Sequence, residues 1–157
     1  NCCESSTRRI LINYKLKKIY NMRNYFYFRT EAAVADDDDN ARSGMFPVDR
    51  FRGAIPSNSS AGTSANVITL FFESALNEKG VGQNGEIIIQ DTVVLNVTVG
   101  QAKNVCQAIA EAANGHPHTD GVTVVADDAT DDANAEAVYL HSGITSCGAI
   151  SIAAALS

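Results

Sequence analysis

The sequence predicts a mainly β protein with one α-helix, arranged as a small barrel or as a curled antiparallel sheet on which the helix packs. Two observations support this prediction. Short segments rich in β-branched and aromatic residues recur between runs of turn-forming residues, and one longer segment has the apolar period of a helix. The chain has 157 residues, which is enough for one domain with its own hydrophobic core.

The predicted strands are rich in Val, Ile, Thr, Phe and Tyr, the residues that fit a pleated and half-buried surface. They are Asn24 to Arg29, Met45 to Ile55, Asn66 to Ser74, Glu86 to Val99, Gly121 to Ala126, Ala137 to His141 and Ala149 to Ala154. We expect the fourth to bend near Gln90 and Asp91. The intervening segments are rich in Ser, Gly, Asn or Asp, which is typical of turns and loops.

The helix is predicted from residue 102 onward, where apolar residues recur at intervals of three and four and so share one helix face. They are Ala102, Val105, Cys106, Ile109, Ala110 and Ala113. We expect Thr98 or Gly100 to start the helix. Asn114 and Gly115 are expected to end it, because both accept the left-handed conformation common at helix C-termini.

Residues 1 to 21 differ in composition from the rest of the chain. They are rich in Asn, Ile, Lys and Tyr, and five basic residues stand against one acidic residue. We expect this segment to be a non-native upstream translation product, or else a disordered basic arm able to contact nucleic acid. Residues 22 to 157 then form a single β-rich domain.

Net charge limits the class of partner. The chain carries −6, and because residues 1 to 21 carry +4, the remainder carries −10. An acidic body repels nucleic-acid phosphates, so we expect protein or cation partners and no nucleic acid. No run of about 18 uncharged apolar residues is present. We therefore expect a chain that is neither secreted nor bound to a membrane.

The four cysteines show no metal-binding or redox spacing. Cys2 and Cys3 are adjacent, whereas Cys106 and Cys147 lie far apart in the sequence. We expect the cysteines of the domain to be buried, reduced thiols.

Two loops contain residues that could bind a cation. They are His116, His118, Asp127, Asp128, Asp131 and Asp132. Neutral imidazoles bind transition metals, and carboxylates bind calcium. However, no third ligand is fixed beside the imidazoles, and the aspartate loop lacks the glycine and the final glutamate of an EF-hand. Polar loops that protect strand edges from aggregation are the alternative, and no resident metal or cofactor is expected.

Arg50 and Arg52 alternate along one predicted strand, so their side chains share a face. They are the candidate contacts to a nucleic-acid phosphate or to an acidic partner. Salt bridges to the aspartate loops are the alternative.

No catalytic signature is present. None of the three histidines lies in a sequence context typical of a nucleophile, base and orienting group. The glycines at 80, 82 and 85 have the spacing of a dinucleotide-binding loop, but a β-rich segment follows them where that loop needs a helix. We expect a protein that is not an enzyme.

Four phrases of the sequence resemble one family. They are YFYFRT at Tyr25 to Thr30 followed by an aspartate run, NVCQAIAEAANGHP at Asn104 to Pro117, VTVVADD at Val122 to Asp128, and YLHSGITS at Tyr139 to Ser146. In these phrases the chain resembles small Sm-like proteins of marine phages that infect cyanobacteria. The resemblance implies a small Sm-like or SH3-like barrel with one helix, able to assemble into a ring.

With this resemblance we expect a non-enzymatic phage structural or assembly protein. Its partners would be its own copies, in a homo-oligomeric ring, and other phage structural proteins. Pairing of strand edges between subunits would remove those edges from solvent. Its location would be the host cytoplasm during infection or the virion. An Sm-like nucleic-acid-binding protein and a metal- or cation-binding module are the alternatives, and the acidic charge argues against the first.

Overall fold

The structure is a computed structural model that describes residues 24–36, 38–58, 66–74, 90–115, 121–131 and 136–152. Within these residues it has eight strands and one α-helix, which confirms the predicted mainly β fold. The strands are β1 (Tyr25–Arg29), β2 (Ser43–Pro47), β3 (Phe51–Asn58), β4 (Asn66–Glu73), β5 (Gln90–Val97), β6 (Val122–Asp127), β7 (Val138–Tyr139) and β8 (Ile144–Ser151), and the helix is α1 (Ala102–Asn114).

The strands form two four-stranded sheets. The first sheet has the order β2-β1-β6-β7 and is mixed, because β1 is antiparallel to β2 and parallel to β6. The second has the order β3-β4-β5-β8 and is antiparallel throughout. The two sheets do not close into a barrel, which corrects the expectation of one barrel or one curled antiparallel sheet.

One hydrophobic core fills the space between the sheets. Alternate residues of β1 and β4 point inward, as the two-residue period of a strand requires. Phe28 of β1 and Phe46 of β2 both contact Phe72 of β4, with ring centroids 6.1 and 4.6 Å apart. Since Phe72 belongs to the second sheet, these aromatic contacts pack the inner faces of the two sheets against each other.

The predicted strand from Met45 to Ile55 is divided in the structure. β2 ends at Pro47, a 3-10 turn covers Val48–Arg50, and β3 begins at Phe51. The segment thereby passes from the first sheet to the second. Phe51 anchors the far side of the turn, because its ring lies 6.0 Å from Phe26 and 5.6 Å from Phe72.

The predicted helix is confirmed, and it packs over β3 and β4. Val105 and Ile109 are its buried residues. Ala110, which we expected on the same face, is exposed. The expected left-handed ending is wrong, since Gly115 has a φ of −72°. The Asn114 side chain instead donates a hydrogen bond to the Ala110 carbonyl at 2.7 Å, which satisfies one of the carbonyls left open at a helix end.

The last strands differ from the prediction in extent. β7 has two residues, and β8 begins at Ile144 rather than at Ala149. β5 begins at Gln90, and residues 86–89 of the predicted strand lie outside the described residues. In the described part of the chain, no helix has the length and apolar character needed to cross a bilayer.

Candidate protein-binding site along β2

Asp128, a candidate cation ligand from the sequence, binds groups of its own chain. Its carboxylate accepts the backbone N–H of Cys147 with both oxygens, at 3.0 and 2.9 Å, and the hydroxyl of Tyr139 at 2.9 Å. Burial, and then the Asp128 carboxylate, raise the pKa of Tyr139 to about 12 and that of Cys147 to about 12. Asp128 therefore joins the end of β6 to β7 and β8.

The other candidate cation ligands also have structural contacts or lie outside the described residues. Asp127 forms an ion pair with Arg29 at 3.3 Å, which links β6 to β1. Asp131 accepts the Val34 backbone N–H at 2.8 Å. His116, His118 and Asp132 lie outside the described residues. Within the part that the structure describes, no three His, Cys, Asp or Glu side chains are grouped closely enough to hold a metal ion.

Three of the four outer strands carry features that oppose pairing with another strand. β7 is only two residues long. β8 pairs with β5 on one side, and on its other side the Cys147 N–H is already bound by Asp128. β3 contains Pro56, which has no N–H, and its pairing with β4 is irregular between Phe51 and Gly53. Short edges, covering charges, prolines and bulges are the usual protections against edge-to-edge association.

β2 is the remaining outer strand, and its hydrogen-bond pattern turns alternate residues away from β1, with Met45 at the centre. Val48 N–H binds the Asn24 carbonyl at 2.7 Å, and Thr30 N–H binds the Arg42 carbonyl at 2.8 Å. In an antiparallel pair alternate residues bond to the partner strand, so residues 42, 44, 46 and 48 face β1. The N–H and C=O of Met45 therefore point away from β1. In the described structure these two groups have no hydrogen-bond partner.

A cavity of about 210 Å³ lies along this edge. All five residues of β2 line it, together with Asn40, Arg50, Glu73, Asp91 and Ile152. The exposed surface of the cavity is mainly apolar, and the Met45 side chain is 51% exposed. An apolar cavity beside an open strand edge can hold side chains of an added strand.

The structure separates the roles of Arg50 and Arg52. Arg52 forms an exposed ion pair with Glu73 on the neighbouring strand β4. Its partner is therefore a strand glutamate and not an aspartate of the loops. Arg50 is half-buried, lines the cavity and donates a hydrogen bond to the Ser74 carbonyl at 3.0 Å. Of the described arginines, Arg50 is the one without a carboxylate at ion-pair distance.

Comparison with known proteins identifies no relative: no family model, no curated protein and no solved structure matches the chain.

Sequence reasoning located Arg50 but missed the strand edge beside it. Ser43 to Pro47 has no charged residue, whereas β3 contains Arg52. Absence of charge in a short segment next to an aspartate run was the available signal. It does not distinguish an outer strand from an inner one, because that depends on the order of strands in the sheet.

Proposed function

We propose that this chain is a non-enzymatic assembly protein that binds another protein chain by adding one of its strands to β2. The observation that supports the proposal is the outward-facing N–H and C=O of Met45, beside an apolar cavity. In strand addition, backbone hydrogen bonds supply affinity and neighbouring pockets supply specificity. Along β2, the Met45 N–H and C=O can supply the backbone hydrogen bonds, and the cavity is the neighbouring pocket.

The energetics favour a contact that uses the cavity as well as the backbone. A backbone hydrogen bond contributes about 0.5–1.5 kcal/mol net, and β2 has five residues, so the backbone alone gives a weak complex. Burial of apolar surface adds about 25 cal/mol per Å². Covering Met45 and the mouth of the cavity therefore adds apolar burial to the contribution of the backbone hydrogen bonds.

The bound chain, in this proposal, is another copy of the same protein, in line with the ring expected from the Sm-like resemblance. Assembly covers an edge that would otherwise invite non-specific pairing. The role in a phage, in the host cytoplasm or in the virion, belongs to the same proposal. The nucleic-acid alternative gains no support from Arg52, because the Arg52 guanidinium is paired with Glu73.

Size-exclusion chromatography with light scattering tests the proposal on the full chain. Met45→Lys places a charge at the open edge and should lower the oligomer mass. Ile55→Lys is the matched control, because Ile55 is 58% exposed on the protected strand β3, and it should leave the mass unchanged. A Met45→Lys protein with the wild-type oligomer mass would contradict the proposal.

A further inference from the structure

We infer that β2 binds the β2 strand of a second copy, antiparallel to it, about a two-fold axis that passes beside Met45. This inference rests on the proposed function, and it names the segment that pairs. It is argued from the hydrogen-bonding groups of Met45 and from the distribution of charge at the two ends of β2.

Met45 is self-complementary under a two-fold rotation. Its N–H and C=O point to the same outer side of β2, so two antiparallel copies can exchange both groups as one hydrogen-bonded pair. Gly44 and Ser43 are small, which allows the two backbones to approach. Pro47 has no N–H, so the regular pairing is limited to the centre of the strand.

The ends of β2 carry opposite charges that an antiparallel contact brings together. Asp38 and Asp39 come just before β2, are exposed and have no ion pair within the described residues. Arg50 follows β2 and lacks a carboxylate at ion-pair distance. In an antiparallel pair the start of one strand lies beside the end of the other, so Arg50 of each copy faces the partner's aspartates.

Other charges also lie near the two ends of β2. Asp49 is exposed on the turn that holds Arg50, but of the two only Arg50 lines the cavity beside β2. Arg42 at the start of the strand is already paired with Asp36 at 3.3 Å and lies 3.7 Å from Glu31. Glu73 and the buried Asp91 also line the cavity, and Glu73 is paired with Arg52. Arg50 is therefore the described cation at this end of β2 that has no carboxylate at ion-pair distance, whereas Asp38 and Asp39 are exposed anions at the other end.

The symmetry of the contact has a consequence for assembly. An isologous two-fold contact uses the same patch on both copies, so it closes at two. A ring would then need a second contact elsewhere on the molecule, with the β2 dimer as its building unit.

A charge exchange at the two ends of β2 tests the inference. We expect Arg50→Glu alone and Asp38→Arg alone to raise the dimer dissociation constant by about tenfold, since each change places like charges in both symmetric contacts. The double variant Arg50→Glu with Asp38→Arg restores opposite charges and should recover most of the affinity. Sedimentation equilibrium of the full chain at low salt measures the dimer dissociation constants of the two single variants and the double variant. Asp49→Asn is the control.

The outcomes separate this inference from the proposed function. If Met45→Lys gives monomers while the charge variants and their combination dimerise like the wild type, strand addition at β2 stands and the two-fold register is wrong. If the wild type is monomeric at all concentrations, or if Met45→Lys dimerises normally, both are wrong. Recovery of affinity in the double variant supports the inference, since a structural defect at Arg50 would not be repaired by Asp38→Arg.

Discussion

Asp128 accepts the backbone N–H of Cys147 with both carboxylate oxygens, at 3.0 and 2.9 Å. The two residues belong to different sheets, because Asp128 follows β6 and Cys147 lies in β8. The contact thus joins the sheets, and it also occupies an N–H on the outer side of β8. This protection of β8 is one reason why β2 is the edge proposed for assembly.

Asp128→Ala should destabilise the fold by about 2–4 kcal/mol. A hydrogen bond to a charged group contributes roughly 1.5–3 kcal/mol, and the Cys147 N–H would lose its acceptor. Asp128→Asn keeps one oxygen and should cost less. Urea unfolding measures both, and the exposed Asp49→Asn serves as the control. An unchanged free energy of unfolding in Asp128→Ala would show that the contact with Cys147 is not structural.

The protein should lose stability at alkaline pH through Tyr139 and Cys147. Burial raises the pKa of both to about 12, from ordinary values near 10 and 9. A group whose pKa is raised by folding contributes stability below its unfolded pKa and loses that contribution as the pH rises through its folded pKa. The free energy of unfolding should therefore fall between about pH 9 and 12.

Urea unfolding of Tyr139→Phe at several pH values measures how much of the alkaline loss of stability is due to the tyrosine. Phe cannot ionise, so the variant should show a shallower alkaline decline than the wild type, although it is less stable at neutral pH. Identical slopes in the two proteins would contradict the assignment of the decline to Tyr139.

The cysteines should differ in reactivity. Cys106 is half-buried and Cys147 is buried, both are free thiols, and burial raises the pKa of both. Since the thiolate is the reactive form and needs access, iodoacetamide should modify Cys106 first and Cys147 only after unfolding. Mass spectrometry after cleavage at glutamate, which includes Glu111 and Glu136, places Cys106 and Cys147 in separate peptides and resolves both from Cys2 and Cys3. Equal rates in the native protein would contradict the packing of β8.

Gly44→Ala should destabilise the protein by about 1–3 kcal/mol, the usual cost of overpacking a core. A Cβ at residue 44 would lie 2.8 Å from the ring of Phe46, which is buried and has little room to move. Phe46→Leu replaces the ring with a smaller apolar side chain that lacks the contacting atoms. A double-mutant cycle should therefore show that Gly44→Ala costs less in the Phe46→Leu background. Strict additivity of the two changes would argue against the contact.

The helix and the strand at Asn66 to Ser74 could be predicted from sequence, because their apolar periods repeat over enough residues to identify them. The division of Met45 to Ile55 between two sheets could not, because Pro47 is compatible with both a strand entry and a strand end. From sequence, the aspartates after β6 are either candidate cation ligands or a polar loop that protects strand edges. Their contacts with Cys147 and Arg29 depend on strands that lie far apart in the sequence.

Cross-linking of Met45→Cys tests the central claim, pairing along β2, most directly. Hydrogen-bonded residues of an antiparallel pair have Cα atoms about 5.5 Å apart, within the range that a disulfide can bridge. In a background with Cys2→Ser and Cys3→Ser, mild oxidation should convert Met45→Cys to a covalent dimer and leave Ile55→Cys a monomer. Absence of the Met45→Cys dimer, or equal cross-linking of the two variants, would contradict the account.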